Sequence, residues 1–587
     1  MRKQMNGILV LVTLLFFPAI TYAPAATAQD DVMEFVMAYP QEMDELDPLS
    51  FPVHLTVWYN MLVYDTLLSY DENLSTIPWL AEDYSISDDG LQVNFTLREG
   101  AFWHDGQPVT PEDVKFTFEL IKNSPASYTR GSAFLQHVTD IEILDRDIVF
   151  TLDQVNSFAV YNLGSTFILP KHIREGIPTN STIWNDHTNV TAHIGSGMFR
   201  YVERVPDEYT ELERFDDWWG PDNPYVGQLP NIERVRIDII QSQETRLLSM
   251  INGDVDTERY EVSGSYISSV LDAPELQLVT GVVSIWDYFL GMNTNVSGLD
   301  DFEVRKAIAY AINREELINI GRLGFAQETK SIIPEAFYPM VYHPDGDFPE
   351  HSITISNQIL DDAGWVDTNM NGIRDNGAGV ELSFELLALS WDDASVYTGM
   401  GLKLQLEEIG FEIDVLAQSD EVLYPAVFQS PRSFEMVAGG LSYPAWPEFP
   451  FWRMHSDHYV DWDFNPWGWI NGTFDAFLED FISATPSEFA SAARAVQVAA
   501  TENMPYIPIF VADDSHALRA EWTNFSTKPG GPFSIFCPET MVFMYDSEMY
   551  TSAAGTDPVL ILTVGVGTFA AGVVLAGVAL RRKHEAS

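Results

Sequence analysis

Between residues 382 and 415 the chain reads strand, helix, strand, and no other stretch constrains the fold as strongly. Leu382, Phe384 and Leu386 recur at every second position, the period of a strand buried on one face. Leu402, Leu406 and Ile409 then recur at helical spacing, ended by Gly410. Phe411, Ile413 and Val415 alternate with Glu412 and Asp414. Two strands joined by a helix within about 35 residues make a βαβ unit, and a crossover of that length is what parallel pairing requires. A second amphipathic helix is expected from Phe302 to Ile318, with Val304, Ile308, Ala311 and Ile312 inward. Earlier, Leu91, Val93, Phe95 and Leu97 interleave with polar residues after the turn Asp88-Asp89-Gly90, which predicts a hairpin with Tyr84-Ser85-Ile86. Thr110-Pro111-Glu112-Asp113 reads as a helix start capped by the Thr110 hydroxyl. The fold class is mixed α/β with more than one sheet domain, and no short internal repeat points to a solenoid.

At 587 residues the chain has the length of about four domains. Its 31 Lys+Arg against 86 Asp+Glu give a formal charge of −55. Such a field repels phosphate, and with no local basic patch nucleic acid is excluded as a partner. A lone cysteine, Cys537, rules out an intramolecular disulfide, a cysteine zinc cluster and a CxxC redox site.

The two ends bear on compartment. Arg2 and Lys3, an apolar run from Ile8 to Phe17 and Ala26-Thr27-Ala28 form a signal peptide over 1–28, with cleavage before Gln29. Val559 to Leu580 carries no charge and is long enough to cross a bilayer core roughly 30 Å thick. Arg581-Arg582-Lys583 follow, which keeps the tail 581–587 in the cytoplasm and the large domain outside the cell membrane. Sequons at Asn73, Asn94, Asn180, Asn189, Asn295, Asn471 and Asn524 fit a glycosylated surface protein.

A search for catalytic motifs finds no G-x-S-x-G elbow, H-E-x-x-H helix or Walker A loop. Gly565-Val566-Gly567 lies in the apolar span, and the histidines are scattered, so neither makes a site. Asp367-Thr368-Asn369-Met370-Asn371-Gly372-Ile373-Arg374-Asp375 does follow a calcium loop, with oxygen ligands at Asp367, Asn369, Asn371, the Ile373 carbonyl and Asp375. The twelfth position is Ala378 rather than the bidentate Glu, so a weak structural Ca2+ and a plain Asn/Gly turn are both open; no cofactor is required. From Tyr443 to Trp469 aromatic residues crowd a proline-rich stretch, which reads as a ligand-cleft wall or as an aromatic lid over a core.

The run Phe102-Trp103-His104-Asp105-Gly106-Gln107-Pro108-Val109-Thr110-Pro111-Glu112-Asp113-Val114 strongly resembles the signature of family 5 extracellular solute-binding proteins, the oligopeptide- and dipeptide-binding subunits of ABC importers. Further matching stretches follow in order: Leu46-Asp47-Pro48, Gly195-Ser196-Gly197-Met198-Phe199, Asn252-Gly253-Asp254-Val255-Asp256, Leu290-Gly291-Met292-Asn293, Val304-Arg305-Lys306-Ala307-Ile308, Ala363-Gly364-Trp365 and Met504-Pro505-Tyr506-Ile507-Pro508-Ile509. The C-terminal anchor resembles archaeal members.

The resemblance implies a two-lobed, type II periplasmic-binding-protein-like α/β fold with an extra domain, closing on its ligand by hinge motion. Lobe I would comprise 29–70, 194–285 and 505–548, the extra domain 71–193 and lobe II 286–504. A linker would span 549–558 and the transmembrane helix 559–580. Peptide-binding members hold the ligand backbone as an added strand and its amino terminus on an acid. The matching stretch here places Gly440, Leu441, Ser442, Tyr443, Trp446 and Glu448 at the ligand, with Glu448 in place of the missing Asp. Asn293, Trp467 and Trp469 complete the candidate set, the tryptophans suiting an oligosaccharide as the alternative ligand. The implied role is capture without catalysis, with ABC permease and ATPase subunits as partners. A surface hydrolase and a surface-coat component are the competing classes.

Overall fold

The computed structural model describes residues 32–546 apart from 44, 50–53, 72–73, 125–131, 180, 336–337, 339–340, 443–448, 464, 526–527 and 529–539. The expected signal peptide, linker, transmembrane span and tail, Cys537, and the sequons at Asn73 and Asn180 lie outside the described residues. Among the described residues no helix is long and apolar enough to cross a membrane.

The largest sheet among them has eleven strands. In chain order these are β1 (Glu34–Tyr39), β2 (Phe199–Val205), β3 (Tyr209–Arg214), β4 (Arg234–Ile239), β5 (Thr257–Glu258), β6 (Leu276–Met292), β7 (Ala326–Glu328), β8 (Ser383–Leu389), β9 (Glu412–Gln418), β10 (Met436–Ser442) and β11 (Tyr506–Arg519). Hydrogen bonds order them β9-β8-β10-β6-β11-β5-β1-β4-β3-β2, with β7 on β11.

The βαβ pattern at 382–415 is present as β8, the helix Asp393–Glu407 and β9, and β8 and β9 pair in parallel. Leu402, Leu406 and Ile409 are buried, and Gly410 ends the turn at a φ of 85°, a left-handed backbone that costs glycine nothing. The single helix expected from Phe302 to Ile318 is instead two, Phe302–Ala311 and Arg314–Arg322. Asn313 breaks it, because its side-chain oxygen accepts the Glu316 N–H at 3.2 Å and so caps the second helix.

A separate antiparallel sheet runs Ala81–Ile86, Gln92–Leu97, Asp147–Leu152, Val138–Leu144, inside the 71–193 stretch. The hairpin is as its alternation predicts, with Val93, Phe95 and Leu97 buried. The helix Pro111–Lys122 begins where expected, in a capping box of Thr110 and Asp113. The Thr110 hydroxyl donates to the Asp113 carboxylate at 2.8 Å, and the same carboxylate takes the Thr110 N–H at 2.9 Å.

Two long antiparallel strands, β6 and β11, join two halves of the large sheet. Leu276 to Val279 of β6 face Arg519 to His516 of β11, and Phe289 to Gly291 face Pro508 to Tyr506. Between them the ladder loses step: β6 advances from Val283 to Asp287 while β11 goes only from Asp513 to Val511. The boundary expected at 285/286 therefore falls within one strand. The first half holds β1–β5, with a core that includes Phe35, Leu62, Phe150 and Ile237. The second holds β8–β10, packed on Leu290, Ile308, Leu386, Leu402 and Val496.

Candidate ligand crevice

Strand direction determines where a crevice can form. β6 runs from the first half into the second and β11 runs back. β5 is antiparallel to β11, so its C-terminal end points at the second half. β10 is antiparallel to β6, so its C-terminal end points at the first. β1 and β4 run with β5, and β8 and β9 run with β10. The C-terminal ends of both parallel sets thus face each other. Within each set the order reverses about a central strand, β1 or β8, and such switch points are where α/β sheets open to ligands.

The chain leaving these ends supplies the crevice's side chains. From the first half come Arg259 to Glu261, with Arg259 5.8 Å from the Tyr260 ring centroid. From the second come Trp391, Asp392 and Asp420; Trp391 is 61% exposed and donates its indole N–H to Asp420 at 2.5 Å. Tyr288 on β6 donates to Asp392 at 3.3 Å. Burial raises Asp392 above the ordinary carboxylate range.

A polar network crosses between the halves at the foot of the crevice. Arg322 donates to Glu261 at 2.7 Å and to the Asp513 carbonyl at 3.1 Å. Burial works against the Arg322 charge, yet Glu261 holds its proton more firmly than usual. On β11, Asp514 and His516 form a buried pair at 2.9 Å. Burial opposes the charged imidazole, but Asp514 beside it carries the His516 pKa above the ordinary histidine value.

One backbone edge here has no partner strand. β10 pairs with β6 over its whole length, Met436 to Ser442, but with β8 only over Met436 to Ala438. Among the described residues Gly439 to Ser442 have no β8 partner, and from Gly440 the strand extends past the end of β8, a length with groups placed to bond an extended chain. Gly440 and Leu441 stand opposite Tyr288 and Asp287, and Ser442 opposite Trp286. A Cβ on Gly440 would come 3.3 Å from the Tyr288 ring, so glycine keeps this edge close to β6.

The other expected ligand residues divide. Tyr443, Trp446 and Glu448 lie outside the described residues. Trp467, Trp469 and Asn293 are corrected: all three belong to the core of the second half. Trp467 is 1% exposed, its ring 5.6 Å from Phe289 and 5.7 Å from Tyr506 and pressed on Gly291. Trp469 packs on Phe474 at 5.1 Å. Asn293 is buried, donating to the Phe434 carbonyl at 2.9 Å and accepting the Asn295 N–H at 3.1 Å. A sugar face needs an exposed ring, which neither tryptophan offers. Residues missed from the sequence, Trp391 and Asp392, directly follow the βαβ unit's first strand; the switch-point rule applied to that unit marks them.

In the loop at 367–375 the Asp367 carboxylate accepts the N–H groups of Asn371 and Gly372 at 3.1 and 2.9 Å. Asn369 and Asn371 both donate to Glu381, at 2.9 and 2.8 Å, so a carboxylate not anticipated closes the loop. The Ile373 N–H bonds Asn371 at 2.8 Å. Asp375, expected as a ligand, instead spends both oxygens on Thr368 and Gly377, because its backbone forms isolated antiparallel bridges with Val366 and with Glu381. Among the described residues no group of three or more His, Cys, Asp or Glu side chains is placed to hold a metal ion.

Comparison with known proteins fits this architecture. The chain is 25% identical over 474 residues to the oligopeptide-binding protein AppA of Bacillus subtilis, covering 80% of this chain and 84% of that one. The solved structure of the B. subtilis AppA in complex with a nonapeptide superposes with a TM-score of 0.66 at 22% identity, over 87% of this chain and 98% of that one. NikZ from Campylobacter jejuni in complex with Ni(L-His) superposes at 0.71 and 20% identity, over 87% and 99%. These likenesses show a type II periplasmic-binding-protein fold, mixed α/β. A family model described as bacterial extracellular solute-binding proteins, family 5 Middle, matches residues 75–488, and the chain belongs to that family of solute-binding, non-enzymatic proteins.

Proposed function

We propose that this chain captures peptides in the inter-half crevice and delivers them to the permease and ATPase subunits of an ABC importer. The observation that carries the reading is the unpaired edge of β10 at Gly439–Ser442, which faces the other half and suits a ligand backbone laid down as one more strand. The peptide ligands named for AppA support it; the nickel–histidine complex of NikZ shows that a relative of the same fold takes another class. Buried Trp467 and Trp469 remove the support for an oligosaccharide. The division into lobes at 29–70, 194–285 and 505–548 and at 286–504, with 71–193 as an extra domain, belongs to the same proposal. So do export through 1–28, glycosylation, and a tether at 559–580 that holds the receptor beside its permease in a cell membrane without an outer membrane, as in archaea.

The test is a thermal-shift screen of the purified full chain against di- to octapeptides, oligosaccharides and nickel–histidine. A ligand at a hundred times its Kd adds about 2.7 kcal/mol. Stabilisation by a peptide that is recovered uncleaved, and that backbone N-methylation abolishes, is expected. Response to the other ligands alone, or cleavage of the peptide, overturns the reading. For the 367–381 loop the proposed ion is a weak structural calcium held by Asp367, Asn369, Asn371 and Glu381; a midpoint that calcium raises in the wild type and not in Glu381→Gln is the expected result.

A further inference from the structure

The chain itself passes between the two halves in β6 and β11, and a second connection is made at Ser157 and Phe158. The helix Ala159–Gly164 is rooted in the first half, where Ala159, Val160 and Leu163 are buried. The residue before it is not. Phe158 is 1% exposed and sits in the core of the second half, its ring 5.2 Å from Phe481 and 5.9 Å from Phe489. Ser157 donates its N–H to the Ile482 carbonyl at 2.7 Å. Its hydroxyl donates between the carbonyls of Phe481, at 3.0 Å, and Ala484, at 2.8 Å. These carbonyls end the helix Gly472–Ile482, where intrahelical partners run out. Asn156 accepts the Phe158 N–H at 2.8 Å and fixes the turn that presents both residues.

Among the described residues the seat is small: Tyr70 and Leu74 of the first half are buried in the same cluster as Phe158, and Ser157 adds its hydrogen bonds. The ladder between β6 and β11 is meanwhile out of step from Val283 to Asp287. A rotation at that step would draw the Phe158 ring from its seat at the edge of Phe481 and Phe489. In the arrangement described, Arg322 also lies on Glu261 across the foot of the crevice.

We infer that Ser157 and Phe158 form a clasp that holds the two halves together, and that its release opens the crevice. The clasp's purpose rests on the crevice being the ligand site; its existence does not. Hydrogen exchange of the ligand-free full chain tests it. In Phe158→Ala the amides at the crevice, among them Ser390, Asp392 and Arg259, exchange about tenfold faster or more, while those of Gln92–Leu97 do not change. Ser157→Ala and Phe489→Ala act in the same direction, and carry the test if Phe158→Ala does not fold. Unchanged exchange at the crevice overturns the inference. Acceleration spread equally over the whole chain also overturns it, since that marks lost stability rather than release. No peptide enters this measurement, so a chain that binds none still decides the clasp.

Discussion

Asp287 on the bridging strand β6 and Asp65 in the first half are both sealed from water, by opposite means. Asp287 faces a guanidinium: Arg453 donates to it at 3.0 Å, both are buried, and Tyr506 bonds Arg453 from the next strand. Among the described residues Asp65 makes no ion pair, and Arg98 acts on it only from a distance. Two indoles hold it, Trp79 at 3.0 Å and Trp219 at 2.9 Å. Indole donors favour the carboxylate, but burial outweighs them, and the Asp65 pKa is pushed up to about 7. A buried carboxylate beside a guanidinium stays charged, whereas one ringed by neutral donors is left close to titration at neutral pH. Asp287 thus has a counter-charge at hand, whereas Asp65 sits in the first half's core with neutral donors around it.

The largest effect should come from removing the cation. Arg453→Met leaves Asp287 buried without its counter-charge and should cost about 3–5 kcal/mol in denaturant unfolding. Asp287→Asn in the same chain should recover much of it. A loss under about 1 kcal/mol would show that water reaches the pair and erase the contrast.

Asp65 should show its character through pH. Its carboxyl titrates near 4 when unfolded and near 7 when folded, so folding favours the proton. The resulting penalty is absent below about pH 4, grows as pH rises, and is complete above about 7, on the order of 4 kcal/mol at most. Asp65→Asn should flatten the stability profile between those limits. An unchanged slope would mean that the indoles keep the carboxylate ionised.

His516 should act with the same sign higher up the scale. The folded state holds its proton more tightly than the unfolded one does, so the stability it adds is full below the ordinary histidine range and is lost as pH rises past it. His516→Gln should remove that decline in thermal melts from pH 6 to 9. Smallest of all is the exposed pair of Arg494 and Asp345, the same chemistry as Arg453 and Asp287 with water in attendance. Arg494→Gln should move the midpoint by less than about 2 °C.

Periodicity made part of the molecule legible and left the rest dark. The βαβ unit, the hairpin at 84–97 and the helix at Pro111 could be read because one face of each is buried, and burial imprints period 2 or 3.6 on the residues. The run ending at Ile318 misled because its apolar spacing continues through Asn313, whose capping side chain ends one helix and starts another. Trp467 and Trp469 misled for a different reason: composition reveals an aromatic cluster but not its neighbours. Only the fold shows Trp467 filling the hollow over Gly291. The crevice residues come from separate stretches, Trp391 and Asp392 from one turn, Glu261 from another and Arg322 from a helix end, brought together by strand order. No local pattern marks such a meeting, and the Phe158 seat is hidden in the same way.

The missed step between β6 and β11 behaves as slack in a linkage. Where a ladder is fully bonded, bending one strand drags its partner, and any motion must stretch a row of hydrogen bonds at once. From Val283 to Asp287, four residues on one side answer two on the other, with smaller shifts at Val279–Val282 and Tyr288–Phe289, so one strand can bend without dragging its partner through a continuous row of bonds. A variant library confined to 281–285 would show it: edits there should change how far one half swings against the other while the crevice residues Trp391, Asp392 and Glu261 stay as they are.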